Sequence, residues 1–440
     1  MSHSVINTQT PKQNFLMLFL YNILFPLIFL LFLPGLVMKL IRRPGHKSSF
    51  LERFAIFSKE KKQKLFVHRG AIWIHSVSVG ETVIALSLIQ KWTDLDPSKK
   101  FVLSTTTTTG QELAQQKAPK NVVVIFCPID FILFVMRTMS LVKPSLLVIF
   151  ETEIWPNLIG QASRSGVKLA MVNARLSDNS VKGYTRFKRF LAPILEKVDR
   201  ICVQSQMDKE RFASLSSKLT ISAPGNLKFD QVIPSKFQDA NLGQYFGDGD
   251  YLVLLAASTH PGEEALIARQ FMKLKDKIAN LRLVIVPRHA ERGADIANEL
   301  AEVGITFRRK TTCGTERAVV DCLLADTTGE MLTFINASDV VIMGKSLAGH
   351  DEGHNLIEPA LLSKAIITGS KLSNFRFVLD ILKSSNAIVT VASDEALYDA
   401  LSTLLGDEQL RIELGKKALG ALAQHSGATE RVIADLQAII

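Results

Sequence analysis

The sequence predicts two doubly wound α/β domains, each built on a parallel sheet, with a ligand cleft between them. Three observations carry this. Past residue 70, short apolar runs alternate with helix-like stretches, the pattern of strands buried on both faces. The length of 440 residues exceeds what one ordinary core fills. A polar, glycine-containing stretch, FDQVIPSKFQDANLGQYFGDGD at 229–250, divides the runs into two series. The expected organisation is a tail at 1–14, an anchor helix at 15–41, a first domain at 42–228 and a linker at 229–250. A second domain follows at 251–425, then a C-terminal helix at 426–440 that has the option of packing back on the first domain.

FLMLFLYNILFPLIFLLFLPGLVM, from Phe15 to Met38, carries no charge and is long enough to cross a bilayer's hydrocarbon core. It is too long, and too poor in small residues, for a cleaved signal peptide. Pro26 and Pro34 leave two arrangements open, a span or an interfacial anchor. Ten basic residues against Glu52 and Glu60 crowd positions 39–69, so the net charge of +10 is a local collar and the rest is near neutral. The collar is a topology signal that places the folded domains on the cytoplasmic side, with attraction for anionic lipid as a second use. A near-neutral remainder argues against nucleic acid as a partner. Four cysteines, Cys127, Cys202, Cys313 and Cys322, show no metal-ligand spacing and read as buried thiols in a reducing compartment.

The first strand series is 72–77, 101–106, 122–126, 146–150, 168–174 and 200–205. The second is 251–258, 281–287, 318–324, 339–344 and 365–369. In such sheets ligands bind beyond the carboxyl ends of the strands, and here those ends are loaded. They read HSVSVGE (75–81), ETEIWPNL (151–158) and NARLS (173–177), then STHPGEE (258–264), VPRHAER (286–292), DTTGE (326–330) and GHNLIEPA (353–360). Packing alone has no use for repeated His, Arg, Glu, Gly and Asn at these places.

Together with GNLKFD (225–230), these motifs resemble the successive signatures of the bacterial Kdo transferases, which attach 3-deoxy-D-manno-oct-2-ulosonic acid (Kdo) to lipid A precursors. The resemblance runs in order from the N-terminal segment to about residue 375. It implies a GT-B fold, with the acceptor mainly on the first Rossmann-like domain and a CMP-activated sugar mainly on the second. It also implies an inner-membrane location, CMP-Kdo as co-substrate, no cofactor and no metal. The glutamate of its SVGE motif, here Glu81, is the implied general base; Glu151 and Lys228 are the implied transition-state stabilisers.

Residue chemistry is compatible with those roles. Gly80 offers a tight turn, and a helix N-terminus stabilises an ionised Glu81 while weakening it as a base. The alternative is a glutamate that merely starts the helix. Glu153 is a partner of Glu151 or a decoy; Trp155-Pro156 reads as a rigid turn. On the second domain, the expected CMP contacts are Pro287, Arg288, Thr328, Gly329, Glu330, Asn355, Leu356, Ile357 and Glu358. Further donor contacts are expected from Ser258, Thr259, His260, Lys345, Ser346, Gly353 and His354. A metal at His260 and His289 is the lesser alternative.

Three places depart from the family's form: Lys345 stands where a second glycine is usual, Glu352 where the glycine pair before HN begins, and TGSKLSNF (368–375) differs in its middle while keeping SNF. A lysine at the first place reaches toward a phosphate or carboxylate, and a glutamate at the second opposes it. KGYTRFKRF (182–190) is either a solvated helix face or a surface for an anionic amphiphile. The rival functions are a GT-B transferase using a UDP-sugar and an inactive membrane-tethered nucleotide-binding protein.

Overall fold

The computed structural model describes residues 18–27, 29, 31, 51–231, 233, 237, 239–312 and 319–440. Two compact units emerge: Met1–Gln231 with Gly427–Ile440, and Val232–Ser426.

The first unit holds a seven-stranded parallel sheet in the order β3-β2-β1-β4-β5-β6-β7. Its strands are β1 (Ile72–Ser76), β2 (Phe101–Thr105), β3 (Val122–Phe126), β4 (Leu146–Phe150), β5 (Lys168–Ala174), β6 (Arg200–Val203) and β7 (Ile221–Ser222). β1, β2 and β4 are buried along their whole length, as apolar strands covered by helices on both faces must be. The order reverses between β1 and β4, which pair in register from Ile72 with Leu146 to His75 with Ile149. The loops leaving these two strands therefore flank a topological switch point.

The second unit repeats the plan in the order β10-β11-β9-β8-β12-β13-β14. It uses β8 (Leu252–Thr259), β9 (Leu281–Pro287), β10 (Phe307–Arg309), β11 (Cys322–Leu324), β12 (Val340–Met343), β13 (Ala365–Gly369) and β14 (Val389–Val391). Its switch point lies between β8 and β12. Three strands are absent from the sequence reading: β7, β10 and β14. Each is two or three residues long and sits at or next to a sheet edge, too short and too exposed to carry a buried-strand pattern.

The segment expected as a linker is partly folded. Gly243–Phe246 is a helical turn, and Leu242, Tyr245 and Phe246 are buried, with Val320 N–H donating to the Tyr245 carbonyl at 2.9 Å. The last helix, Ala428–Gln437, belongs to the first unit. Ala428, Val432, Ile433 and Leu436 form its apolar stripe and lie in that unit's core, where each larger side chain contributes about 1.5–3 kcal/mol. Asp230 caps the helix, its carboxylate accepting from Gly427 N and Thr429 N at 2.6 Å each.

Of the expected anchor, residues 15–17, 28, 30 and 32–41 lie outside the described residues, as do the 1–14 tail and Cys313. Residues 18–27 are helical, and among the described residues no helix is long and apolar enough to cross a membrane. Tyr21 hydroxyl donates to Asp130 at 2.8 Å, and Asn22 exchanges amide hydrogen bonds with Asn157. Phe19, Leu20, Ile23, Leu24, Leu27 and Leu31 are exposed. Part of the basic collar is structural: Arg53 packs over the Phe126 ring at 4.1 Å, and Lys61 donates to Val124 O at 2.6 Å beside Glu52. Those cations are occupied by the fold and unavailable to lipid. Cys127, Cys202 and Cys322 are buried free thiols.

Candidate active site

Four motifs meet at the carboxyl edge of the first sheet. β1 ends at Ser76, and Ser78 caps the helix Val79–Leu95. The Glu81 N–H donates to Ser78 Oγ at 3.3 Å, and the Glu81 carboxylate takes Ser78 N–H at 3.3 Å, a complete capping box. That carboxylate also accepts from Val77 N and from the Ser78 hydroxyl, each at 2.8 Å. Starting the helix is thus one job that Glu81 performs. It is no ordinary cap, because it is only 7% exposed. Burial lifts its carboxyl above the usual value, against the Val77 and Ser78 hydrogen bonds, and the charge of Glu151 adds to the rise. The expected weakening of Glu81 as a base is therefore reversed: desolvation outweighs the helix terminus. Gly80 is corrected too. It lies within the helix and has no left-handed φ; extended Ser78 makes the turn.

β4 delivers Glu151 in the left-handed conformation, φ +56, with its N–H on Val172 O at 2.8 Å. A non-glycine residue held there marks a position that the surrounding structure over-determines. Lys228 reaches it, Nζ to Oε1 at 3.2 Å. Asn173, itself at φ +55 at the end of β5, explains how: its Oδ1 accepts from Leu227 N at 3.0 Å and lays GNLKFD against NARLS. Asn226 Oδ1 then fixes Lys228 N at 2.9 Å, so the ammonium is aimed from the short helix Leu227–Asp230. Glu153 is half-buried, and its carboxyl is also raised, by burial and then by the charges of Glu81 and Glu151. Trp155-Pro156 is a rigid turn: Pro156 opens a helix whose Asn157 and Leu158 N–H groups bind the two Asp130 oxygens at 3.0 and 2.8 Å. Behind this rim His75 is fully buried, its Nδ1 3.0 Å from Ser104 Oγ, and burial depresses its pKa to about 4.

The second sheet's edge is built around two buried carboxylates the sequence reading left without roles. Glu263, with no exposed surface, accepts four backbone N–H groups: His260 and Lys345 on Oε2 at 2.9 and 2.8 Å, Ser346 and Leu347 on Oε1 at 2.9 Å. It staples the loop after β8 to the loop after β12. Glu264, equally buried, takes the Thr259 hydroxyl at 2.8 Å and Arg292 at 2.7 Å. Above them His260 Nε2 and His354 Nε2 lie 2.9 Å apart, with the His289 and His350 rings 5.8 and 5.6 Å from that of His260. Burial first, then neighbouring charge that includes Lys345, depresses both His260 and His354 to about 4. The doubled acid in STHPGEE was the available clue, since two adjacent charges at a buried helix start need partners.

Ser258, Thr259, His260, Lys345, Ser346, Gly353 and His354 thus come together. Gly353 has φ +70, and a Cβ on it would lie 2.3 Å from a Leu372 methyl, so only glycine fits. Arg288 and His289 are exposed beyond Pro287. Thr328 and Gly329 are exposed, while Glu330 is held by Lys310 and Thr327. Leu356 and Ile357 are completely buried. Asn355 Oδ1 takes Ile357 N at 3.2 Å at the start of the five-residue helix Ile357–Leu361, which holds half-buried Glu358. Among the described residues no group of three or more His, Cys, Asp or Glu is placed to hold a metal ion.

Two parallel sheets with loaded switch points are the fold of GT-B glycosyltransferases. A glycosyltransferase from Rickettsia africae shares it, with a TM-score of 0.58 over 84% of this chain and 97% of that one at 10% identity. So does a UDP-GlcNAc 2-epimerase from Neisseria meningitidis, with a TM-score of 0.57 over 83% of this chain and 99% of that one at 10% identity. Residues 48–231 match the model of the 3-deoxy-D-manno-octulosonic-acid transferase family. The Rickettsia typhi 3-deoxy-D-manno-octulosonic acid transferase is 30% identical over 77% of this chain and 72% of its own length. The Haemophilus influenzae transferase is 28% identical over 89% and 92%. The chain belongs to the Kdo transferase family and is a glycosyltransferase.

Proposed function

We propose that the protein moves Kdo from CMP-Kdo to a sugar hydroxyl of a tetraacylated lipid A precursor, with inversion at the ketose carbon. The observation that carries the mechanism is a buried, basicity-raised Glu81 sharing one switch point with the Glu151–Lys228 pair. Glu81 takes the acceptor hydroxyl's proton as that oxygen bonds to the Kdo anomeric carbon. The bond from that carbon to the CMP phosphate breaks, and its electron pair leaves with CMP. Positive charge grows on the sugar and negative charge on the phosphate, so Glu151 answers the first and Lys228 the second.

CMP is assigned to the second unit. Backbone near Pro287 and Arg288 frames the base, Glu358 meets the ribose, and Lys345, Ser346, Gly353 and His354 surround the phosphate. Thr328, Gly329 and Glu330 close another side, and no metal or cofactor is invoked. The relatives' names support the sugar, and the cationic edge supports an anionic donor. The exposed Phe19, Leu20, Ile23, Leu24, Leu27 and Leu31, followed in sequence by the basic collar, support association with an anionic inner-membrane surface on its cytoplasmic side. No nucleic-acid partner is assigned.

The test is turnover of CMP-Kdo with the tetraacylated precursor, counting Kdo residues added, beside melting shifts with CMP and with UDP. Transfer with a CMP-selective shift is expected; a UDP-selective shift without Kdo transfer overturns the assignment.

A further inference from the structure

We propose that Glu352 is a built-in counter-ion for Lys345, holding its ammonium until the donor's phosphate displaces it. The pair then sets how strongly this rim grips its nucleotide. The inference rests on reading the second unit's edge as the donor site.

Geometry is the first support. Lys345 adopts φ +58, a conformation that glycine takes more readily, two residues past the end of β12. Its N–H is fixed on Glu263, and its carbonyl accepts Gly353 N at 2.7 Å, so the loop 345–353 is pinned across its mouth. The Lys345 side chain spans the same mouth, Nζ to Glu352 Oε1 at 3.1 Å. The two departures from the family's glycines are therefore one device, a cation and its partner facing across a closed loop.

The second support is a contrast between two ion pairs on this edge. Arg292 and Glu264 join by two hydrogen bonds, with side chains 16% and 0% exposed, so Glu264 has no solvent to move into. Lys345 and Glu352 share one contact, with side chains 26% and 41% exposed. Glu352 is free to swing into water and Glu264 is not. A phosphate offers more charge and more acceptor oxygens than one carboxylate, so it replaces Glu352 at Lys345. Every fraction of the time that Glu352 holds the ammonium lowers apparent donor affinity in proportion.

The test is calorimetric CMP binding by the full-length chain and its variants at about 0.3 M salt, which screens charges more than roughly 6 Å apart. A half-exposed pair of this kind predicts about two- to fivefold tighter CMP binding in Glu352→Gln. Lys345→Met should weaken CMP by about tenfold. In the Lys345→Met background the gain from Glu352→Gln should shrink to less than about 1.5-fold. Glutamine keeps the 352 carbonyl that accepts Asn374 N at 3.0 Å, so the loop should be undisturbed, and unchanged melting temperatures verify this. An equal gain in both backgrounds, or no gain at all, overturns the counter-ion. A parent chain that takes up no CMP overturns the donor-site reading and this proposal with it.

Discussion

The two sheets have the same strand order about their switch points, β2-β1-β4-β5 in one and β9-β8-β12-β13 in the other, and both put glutamates just beyond the first strand. Their environments differ. Glu81 is buried with a raised carboxyl and has the charge of Glu151 nearby, while Glu263 is buried among four converging N–H groups and Glu264 is paired with Arg292. The first edge buries a carboxyl whose pKa is raised; the second engages both its carboxylates in holding loops, beside half-buried His260, His354 and Lys345 and exposed Arg288. Under the proposed function, one architecture serves a proton acceptor at one edge and an anion at the other.

The same conservative change on both edges should have opposite consequences. Glu81→Gln retains the capping box, because glutamine also serves at that position. It should lower turnover by on the order of a hundred- to ten-thousandfold with CMP binding nearly unchanged, at a stability cost of about 1–2 kcal/mol because the new amide nitrogen faces the Val77 or Ser78 donors. Steady-state rates and melting curves decide it, and near-normal turnover removes Glu81 as the base. Glu263→Gln should show the reverse emphasis. An amide nitrogen would then face backbone donors in a buried site, costing about 3–4 kcal/mol of stability, measured by denaturant unfolding. If Glu263→Gln is as stable as the parent, the two edges are not built differently.

A third test uses protons. His75 has its pKa depressed from 6.5 to about 4, so the unfolded chain takes up a proton before the folded one does. Its contribution to stability is complete above pH 6.5 and is lost as pH falls toward 4. Between pH 7 and pH 4.5 that amounts to about 2–3 kcal/mol. The raised carboxyls of Glu81 and Glu153 act in the opposite sense over part of that window, so the informative quantity is the difference from His75→Gln, which should lose less. Equal acid sensitivity in the two proteins would exclude the buried ring. The smallest effect concerns Glu153. Removing this like charge in Glu153→Gln should move the acid limb of the rate profile to lower pH by about half a unit, leaving kcat at the plateau within about threefold. A limb that stays in place makes Glu153 a bystander.

Much of the fold is legible because central parallel strands are continuous apolar runs. The reading at 122–126, 146–150, 168–174, 281–287 and 365–369 coincides with the structure residue for residue. The short edge strands β7, β10 and β14 escaped it, since half-exposed pairs and triplets of residues have no period to detect. The motifs located the rims, yet three partners needed the folded chain. Asn173 places Lys228, Asp230 caps the final helix, and Glu263 fixes the loop after β12. These contacts join residues 54, 197 and 82 positions apart, and no local pattern encodes such distances.

The sequence by itself determined the two-sheet architecture, the family and the identity of the chemical groups, because hydrophobic period and strand-end residue types are local properties. Tertiary structure alone decided the state of those groups. Whether a glutamate is a stronger base or a loop staple depends on how much water is removed from it and which donors converge on it, and both are fixed only when distant segments pack together.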